Sequence, residues 1–163
     1  MHFVNKHLRD LAPYKVASHR IWEVSPIERK DILKLDWNEA TIPPSPKVKE
    51  AILSFIEDES VFSLYPSTYN DTLMQALSDY SKQPIENIQY FASSDALHEY
   101  IVRMYIEKGD KILLITPTYD NFRLTCESQG GQIVSFEYKQ GFSLNIALLK
   151  ETIREKAPAL IYI

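Results

Sequence analysis

A serine-rich turn is the clearest candidate for binding an anion. Ser93, Ser94 and Asp95 lie between a short apolar run and a segment with helical periodicity. The first N–H groups of a helix have no partners within it, and its dipole is positive at this end. Two hydroxyl groups and several N–H groups could therefore hold a phosphate. The same residues also suit an ordinary helix start, with a serine N-cap and an aspartate in the first turn. The sequence leaves both interpretations open.

An aromatic side chain follows the next apolar run. Tyr119 comes shortly after residues 111–116, behind Pro117, which restricts the backbone. Its ring could stack on a flat heteroaromatic ligand. It could also pack as an ordinary aromatic residue at the start of a helix. The sequence leaves both interpretations of Tyr119 open as well.

Other reactive constellations are incomplete. His98 and Glu99 lack the second histidine of the metalloprotease spacing, so we expect His98 to be a solvated residue or a residue of the N-terminal turn of the helix rather than a zinc ligand. Neither strand-to-helix turn has the glycines of a dinucleotide fingerprint or of a P-loop. A methyltransferase would also need a glycine-rich first turn. The sequence thus argues against metal, dinucleotide and nucleoside-triphosphate binding.

No lysine of the chain is placed to form an imine with a bound aldehyde. Lys108 and Lys111 flank a helix-to-strand turn, which should lie at the edge of the sheet opposite to the ligand. Lys139, Lys150 and Lys156 lie on a loop or a helix behind it. We expect these side chains to be solvated surface charges.

Alternating apolar runs and helical segments must position the candidate residues. We expect strands at 88–91, 111–116, 132–136 and 159–163, with helices at 94–107, 120–128 and 145–156. This alternation predicts an α/β fold in which parallel strands carry helices on their faces. Ligands of such sheets bind beyond the carboxyl ends of the strands, where the serine turn and Tyr119 should lie. Because the chain ends within the fourth run, we expect a truncated protein.

The first 45 residues are less regular. Pro13, Pro26, Pro43 and Pro44 interrupt them, which predicts an irregular arm with at most short helical turns. Its apolar side chains need a covering surface, and we expect a second copy of the chain to provide part of it. Two amphipathic helices should follow, from Pro46 to about residue 58 and at 70–81. We therefore divide the chain into an arm with the start of a small domain, residues 1–45, and a partial large domain, residues 46–163.

Composition narrows the class of protein. The net charge is −4, from 18 basic and 22 acidic residues that are spread along the sequence, which argues against a nucleic-acid partner. Cys126 is the only cysteine, so no disulfide framework can form within the chain. No stretch has the length and apolar character of a membrane span or a signal peptide. These features predict a soluble, cytoplasmic protein.

Several short motifs occur in the order that one family shows. They are residues 11–14 (Leu-Ala-Pro-Tyr), residues 35–39 (Leu-Asp-Trp-Asn-Glu), Tyr65-Pro66, residues 93–96 and residues 117–119 (Pro-Thr-Tyr). Together they resemble the first half of the histidinol-phosphate aminotransferases and their relatives among the fold type I pyridoxal-phosphate enzymes. The resemblance implies a three-layer α/β/α large domain and a homodimer.

The resemblance also implies a coenzyme, pyridoxal 5'-phosphate, and residues that bind it. Ser93, Ser94 and Asp95 would hold its phosphate, and Tyr119 would stack on its pyridine ring. Tyr65 would reach the phosphate of the coenzyme in the neighbouring subunit. The lysine that forms the Schiff base in this family would come after residue 163. We therefore expect no catalytic residue in this chain and no transaminase activity from it alone.

The substrate follows less directly from the resemblance. Tyr14, Asn38 and Glu39 would lie near the substrate, an amino acid or an amino-phosphate. Ala96 stands where the family usually has an acidic residue, so amino-sugar and aromatic substrates remain open. The alternative from another class of protein is a non-catalytic α/β module that binds a different phosphorylated ligand.

Overall fold

The computed structural model describes residues 4–9, 11–14, 20–40, 42–65 and 71–163. The α-helices are α1 (Lys6–Arg9), α2 (Arg20–Glu23), α3 (Pro46–Ile56), α4 (Asp71–Ser81), α5 (Ser94–Tyr105), α6 (Asn121–Ser128) and α7 (Ile146–Lys156). The strands are β1 (Lys111–Thr116), β2 (Gln132–Glu137) and β3 (Leu160–Tyr162). The chain forms two compact units, residues 1–15 with 90–163 and residues 16–89. Each is described by itself, and the domain boundary after residue 45 stays a prediction.

The first unit is built on a parallel sheet. Its strand order is β2-β1-β3, and Ile112 of β1 lies opposite Ile133 of β2 and Leu160 of β3. Each neighbour of β1 is reached through a helix, as parallel pairing requires. The predicted α/β class and the predicted parallel strands are confirmed.

Helices cover both faces of β1. Ile112 and Leu114 pack with Val102 of α5 and Phe122 of α6, whereas Leu113 and its neighbours pack against α7. Successive side chains of a strand point to opposite faces, so an uninterrupted apolar run suits a strand that is buried on both sides. These are the three layers that the sequence predicts.

One predicted strand is wrong. Residues 88–91 follow a short 3₁₀-helix, Ile85–Asn87, and form no part of the sheet, so the described residues contain three strands rather than four. A short, mostly apolar segment becomes a strand only where a neighbouring strand completes its ladder of hydrogen bonds. Here the backbone turns instead into α5.

The described residues of the amino-terminal arm contain only short helical pieces, as predicted. α1 lies on α6, where His7 Nε2 is 3.0 Å from the carbonyl oxygen of Ser128. Part of the arm is therefore covered by its own chain. Among the described residues, no helix combines the length and the apolar character needed to cross a membrane.

The second unit contains the two predicted amphipathic helices. α3 begins with Pro46 behind Ser45, whose side chain accepts a hydrogen bond from the N–H of Lys47 at 3.4 Å. α4 begins at Asp71, and the predicted start at Asn70 lies outside the described residues. Neither helix has a fully buried side chain in this chain. Their apolar faces are therefore largely exposed.

The sheet core can be tested with two leucines. Leu113 is fully buried in β1, whereas Leu148 of α7 is exposed. Leu113→Ala should lower the free energy of unfolding by about 2–5 kcal/mol, because it leaves a cavity between sheet and helix. Leu148→Ala should change it by less than about 1 kcal/mol. Urea denaturation followed by circular dichroism measures both, and equal losses would contradict the layer arrangement.

Candidate functional site

The serine turn is the start of α5. Ser93 is the N-cap, and its Oγ accepts a hydrogen bond from the N–H of Ala96 at 3.2 Å. The first backbone bond within the helix runs from Leu97 to Ser93 at 3.2 Å. The N–H groups of Ser94 and Asp95 come before that bond and lie outside the hydrogen bonding of the helix. The turn is thus an ordinary helix start that still offers two N–H groups to an anion.

The loop after β1 brings Tyr119 to this helix start. Its hydroxyl donates to Asp95 Oδ2 at 3.3 Å, and 46% of the tyrosine remains exposed. The ring of Tyr14, from the arm, meets the ring of Tyr119 edge to face, with centroids 6.4 Å apart and planes at 72°. Three residues that the sequence singles out therefore lie together.

The environment of Tyr119 favours its neutral form. Partial burial, the negative charge of Asp95 and the neighbouring Tyr14 raise the pKa of the Tyr119 phenol above its usual value. The phenol keeps its proton at neutral pH and remains a hydrogen-bond donor.

A charged network, which the sequence analysis did not identify, fixes the loop that carries Tyr119. Arg123 of α6 donates from Nε and Nη2 to the two carboxylate oxygens of Asp120, at 2.6 and 2.7 Å, and also pairs with Glu127. The hydrogen bonds from Arg123 hold the pKa of Asp120 below its usual value. Spacings of three and four residues along a helix are the signal that could have revealed it.

The position of His98 differs from the solvated one that the sequence suggests. It is not solvated: only 9% of it is exposed, and its ring packs edge to face against Phe122 and Tyr162 at centroid distances of 4.8 and 5.5 Å. Its Nδ1 lies 3.9 Å from Asp95 Oδ1. The helical periodicity could have placed His98 on the buried face, because Val102 follows it by four residues on the same side.

The remaining predicted site residues belong to the second unit. Glu39 pairs with Lys34, and Asn38 has a left-handed backbone with φ of 52°, which asparagine tolerates well. Tyr65 is almost wholly exposed, and Pro66 lies outside the described residues. The roles that the resemblance gives these residues stay predictions.

The described residues contain neither a nucleophilic thiol nor a cluster of side chains that could hold a metal ion. Burial raises the pKa of the Cys126 thiol to about 12, so it is a core side chain rather than a nucleophile. Among the described residues, no group of three or more His, Cys, Asp or Glu side chains could hold a metal ion. A cavity of about 380 Å³ touches Asp95, but its lining includes neither Ser94 nor Tyr119. We therefore place the site at the helix start rather than in this cavity.

The residues at the helix start fit a flat molecule with an anionic group. Two N–H groups and the positive end of the α5 dipole suit the anion, while the half-exposed ring of Tyr119 offers a stacking surface nearby. Because the hydroxyl of Tyr119 contacts a residue of that same helix turn, one small molecule can reach both.

Known proteins resemble most of this chain in sequence. The sequence model of the family described as aminotransferase class I and II matches residues 30–163. The chain belongs to this family. A dihydroxyacetone phosphate transaminase of Campylobacter jejuni is 40% identical over 160 residues, which are 98% of this chain and 42% of that protein. A histidinol-phosphate aminotransferase of Ruminiclostridium cellulolyticum is 32% identical over 133 residues, 80% of this chain and 37% of that protein.

Solved aminotransferase structures share the fold. Histidinol-phosphate aminotransferase from Sinorhizobium meliloti, in complex with pyridoxal-5'-phosphate, aligns with all of this chain and 42% of its own, with a TM-score of 0.73 and 22% identity. Cystalysin from Treponema denticola, which contains a pyridoxal 5'-phosphate cofactor, aligns with 74% of this chain and 32% of its own, at a TM-score of 0.63 and 19% identity. This family member thus spans about two fifths of the length of the curated relatives described above.

The contact between Asp95 and Tyr119 predicts a pKa change. Asp95→Asn removes the negative charge that opposes ionisation, so the pKa of the Tyr119 phenol should fall towards its usual value. Tyrosinate absorbance, titrated against a Tyr119→Phe reference, isolates this group. Glu99→Gln is the matched control, because it removes one negative charge from the same helix at a residue that pairs with Arg103. Equal shifts in both variants would contradict the contact.

Proposed function

We propose that this chain is the amino-terminal part of an aminotransferase that uses pyridoxal 5'-phosphate and acts on an amino acid or amino-phosphate. The observation that carries the proposal is the 3.3 Å contact between Tyr119 and Asp95. It joins an anion-binding helix start to an exposed aromatic ring at the carboxyl end of a parallel strand, where α/β sheets bind ligands. The family membership supports the type of reaction.

The residues of the helix start would hold the coenzyme. The N–H groups of Ser94 and Asp95 would bind its phosphate, with the hydroxyls of Ser93 and Ser94 beside them. Tyr119 would stack on the pyridine ring and exclude water from one of its faces. When bound, the coenzyme supplies an electron sink for the negative charge that forms at the α carbon of the substrate. The chain's own contribution is to bind and orient that ring.

Of the two proposed kinds of substrate, we favour the one that carries a phosphate. The relatives from C. jejuni and R. cellulolyticum are both named for phosphorylated compounds. Tyr14 lies against Tyr119, which supports its proposed place on the substrate side of the ring. Asn38 and Glu39 are proposed to act there as well.

A second copy of the chain is proposed to complete the site. Tyr65 is almost wholly exposed, which suits the proposed contact with the coenzyme phosphate of a partner subunit. Many large apolar side chains of the second unit, among them Trp22, Leu33, Leu35 and Phe62, are also exposed. Such surfaces are typical of regions that a partner covers. A cytoplasmic location and the division after residue 45 remain part of this proposal.

Coenzyme binding tests the proposal. Pyridoxamine 5'-phosphate is the preferred probe, because it has no aldehyde to react with surface lysines. We expect a dissociation constant on the order of 1 mM, since this probe forms no imine with the protein. Tyr119→Ala should weaken binding about five- to tenfold through lost stacking. Tyr105→Ala, at an exposed tyrosine of α5, is the matched control.

Isothermal titration measures these affinities, and two further ligands separate the proposal from its alternative. If inorganic phosphate binds as tightly as pyridoxamine 5'-phosphate, the chain is a general phosphate-binding module and not a coenzyme site. Pyridoxamine, which lacks the phosphate, should bind much more weakly than its phosphate ester.

Activity gives a separate test. The chain alone should not transfer an amino group from an amino acid to a keto acid faster than free pyridoxal phosphate does, because we propose that the Schiff-base lysine belongs to a part of the protein after residue 163. Keto-acid formation, followed by a coupled assay, is the measurement. Turnover above the free coenzyme would show that this chain carries a catalytic group of its own.

A further inference from the structure

A buried histidine lies directly behind the candidate site. His98 follows Asp95 by three residues on α5, and its Nδ1 is 3.9 Å from Asp95 Oδ1. Both atoms are buried, and among the described residues neither has a hydrogen-bond partner. A buried polar atom without a partner costs free energy, so two such atoms that face each other indicate an interaction. A shift of about 1 Å would bring them within hydrogen-bond distance.

The other surroundings of the imidazole are aromatic. Phe122 and Tyr162 meet the ring of His98 edge to face, at 68° and 83°, and they stack on each other with centroids 4.2 Å apart. These contacts fix the plane of the imidazole. They also leave the carboxylate of Asp95 as the polar group that faces Nδ1.

Asp95 thereby connects His98 to the site. Its Oδ2 accepts the hydrogen bond from Tyr119, while its Oδ1 faces His98. An aspartate in the first turn of a helix could otherwise accept from the free N–H groups there, and its charge would then oppose a bound phosphate. A carboxylate held from both sides leaves those N–H groups to the ligand.

We propose that His98 is a positioning residue, which donates from Nδ1 to Asp95 and keeps that carboxylate on Tyr119 and off the N–H groups of α5. The consequence for coenzyme binding rests on the proposed function. The donation from His98 to Asp95 does not, because it is a property of the chain without ligand.

The tautomer of His98 tests the donation directly. Long-range proton–nitrogen NMR of the intact chain, at a pH of about 8.5 where an ordinary imidazole is neutral, shows which ring nitrogen carries the proton. His98→Asn removes one of the four histidine signal sets and assigns it. We expect the proton on Nδ1. A proton on Nε2 would overturn the proposal, because Nδ1 could not then donate to Asp95.

Two amide substitutions test the positioning role. Asparagine can place its amide N–H near the position of Nδ1, whereas glutamine places its amide near that of Nε2. His98→Asn should bind pyridoxamine 5'-phosphate within about twofold of the original chain. His98→Gln and His98→Leu should bind about five- to tenfold more weakly, a loss of the size expected for one ordinary hydrogen bond.

Circular dichroism establishes that each variant is folded before its affinity is compared. Equal affinity in all three folded variants would overturn the positioning role. If His98→Leu and His98→Gln do not fold, the tautomer in the original chain still decides the donation. If the original chain binds no coenzyme while His98 carries its proton on Nδ1, the proposed function fails and the histidine–carboxylate pair stands.

Discussion

The hydrogen bond from Tyr119 to Asp95 joins two segments of the chain that are 24 residues apart. One is the loop after the central strand β1, and the other is the first turn of α5. The core holds both segments in place, because β1 is buried on its two faces and α5 packs on one of them. The core thus fixes the distance between an aromatic ring and the helix start that we propose to bind an anion. The packing of the core therefore positions both surfaces that we propose to bind the ligand, the ring of Tyr119 and the start of α5.

The candidate site has to accommodate two negative groups, the carboxylate of Asp95 and the proposed phosphate. Asp95 lies in the helix turn that the proposed phosphate would occupy, and two negative groups there would repel each other. The structure gives the carboxylate other neighbours, the phenol of Tyr119 on one side and the imidazole of His98 on the other. Arg123 balances Asp120 in the adjoining loop. The N–H groups at the start of α5 therefore remain an electropositive feature of this edge of the sheet.

Sequence patterns predicted the elements better than the contacts between them. The strand at 111–116 has the predicted bounds, because an apolar run between a glycine turn and a proline has few other conformations in an α/β chain. Residues 88–91 show a similar run, yet they lack the neighbouring strand that would make them part of the sheet. Strand pairing depends on distant parts of the chain, which a local pattern does not contain.

In the candidate site too, the sequence predicted the positions of residues better than the contacts of their side chains. Motifs identified Ser93, Asp95 and Tyr119 individually, and the position of both loops at one edge of the sheet followed from the topology of parallel strands. The direction of the Asp95 side chain and the burial of His98 did not follow from it. Both depend on side-chain packing between α5, α6 and β3, where His98 meets Phe122 and Tyr162.

The central claim is that one molecule touches the start of α5 and the ring of Tyr119 together. Two-dimensional NMR during a titration with pyridoxamine 5'-phosphate tests it most directly. We expect the backbone amide signals of Ser94 and Asp95 and the ring signals of Tyr119 to shift together, with one common dissociation constant. Shifts at only one of the two places, or two different dissociation constants, would contradict it.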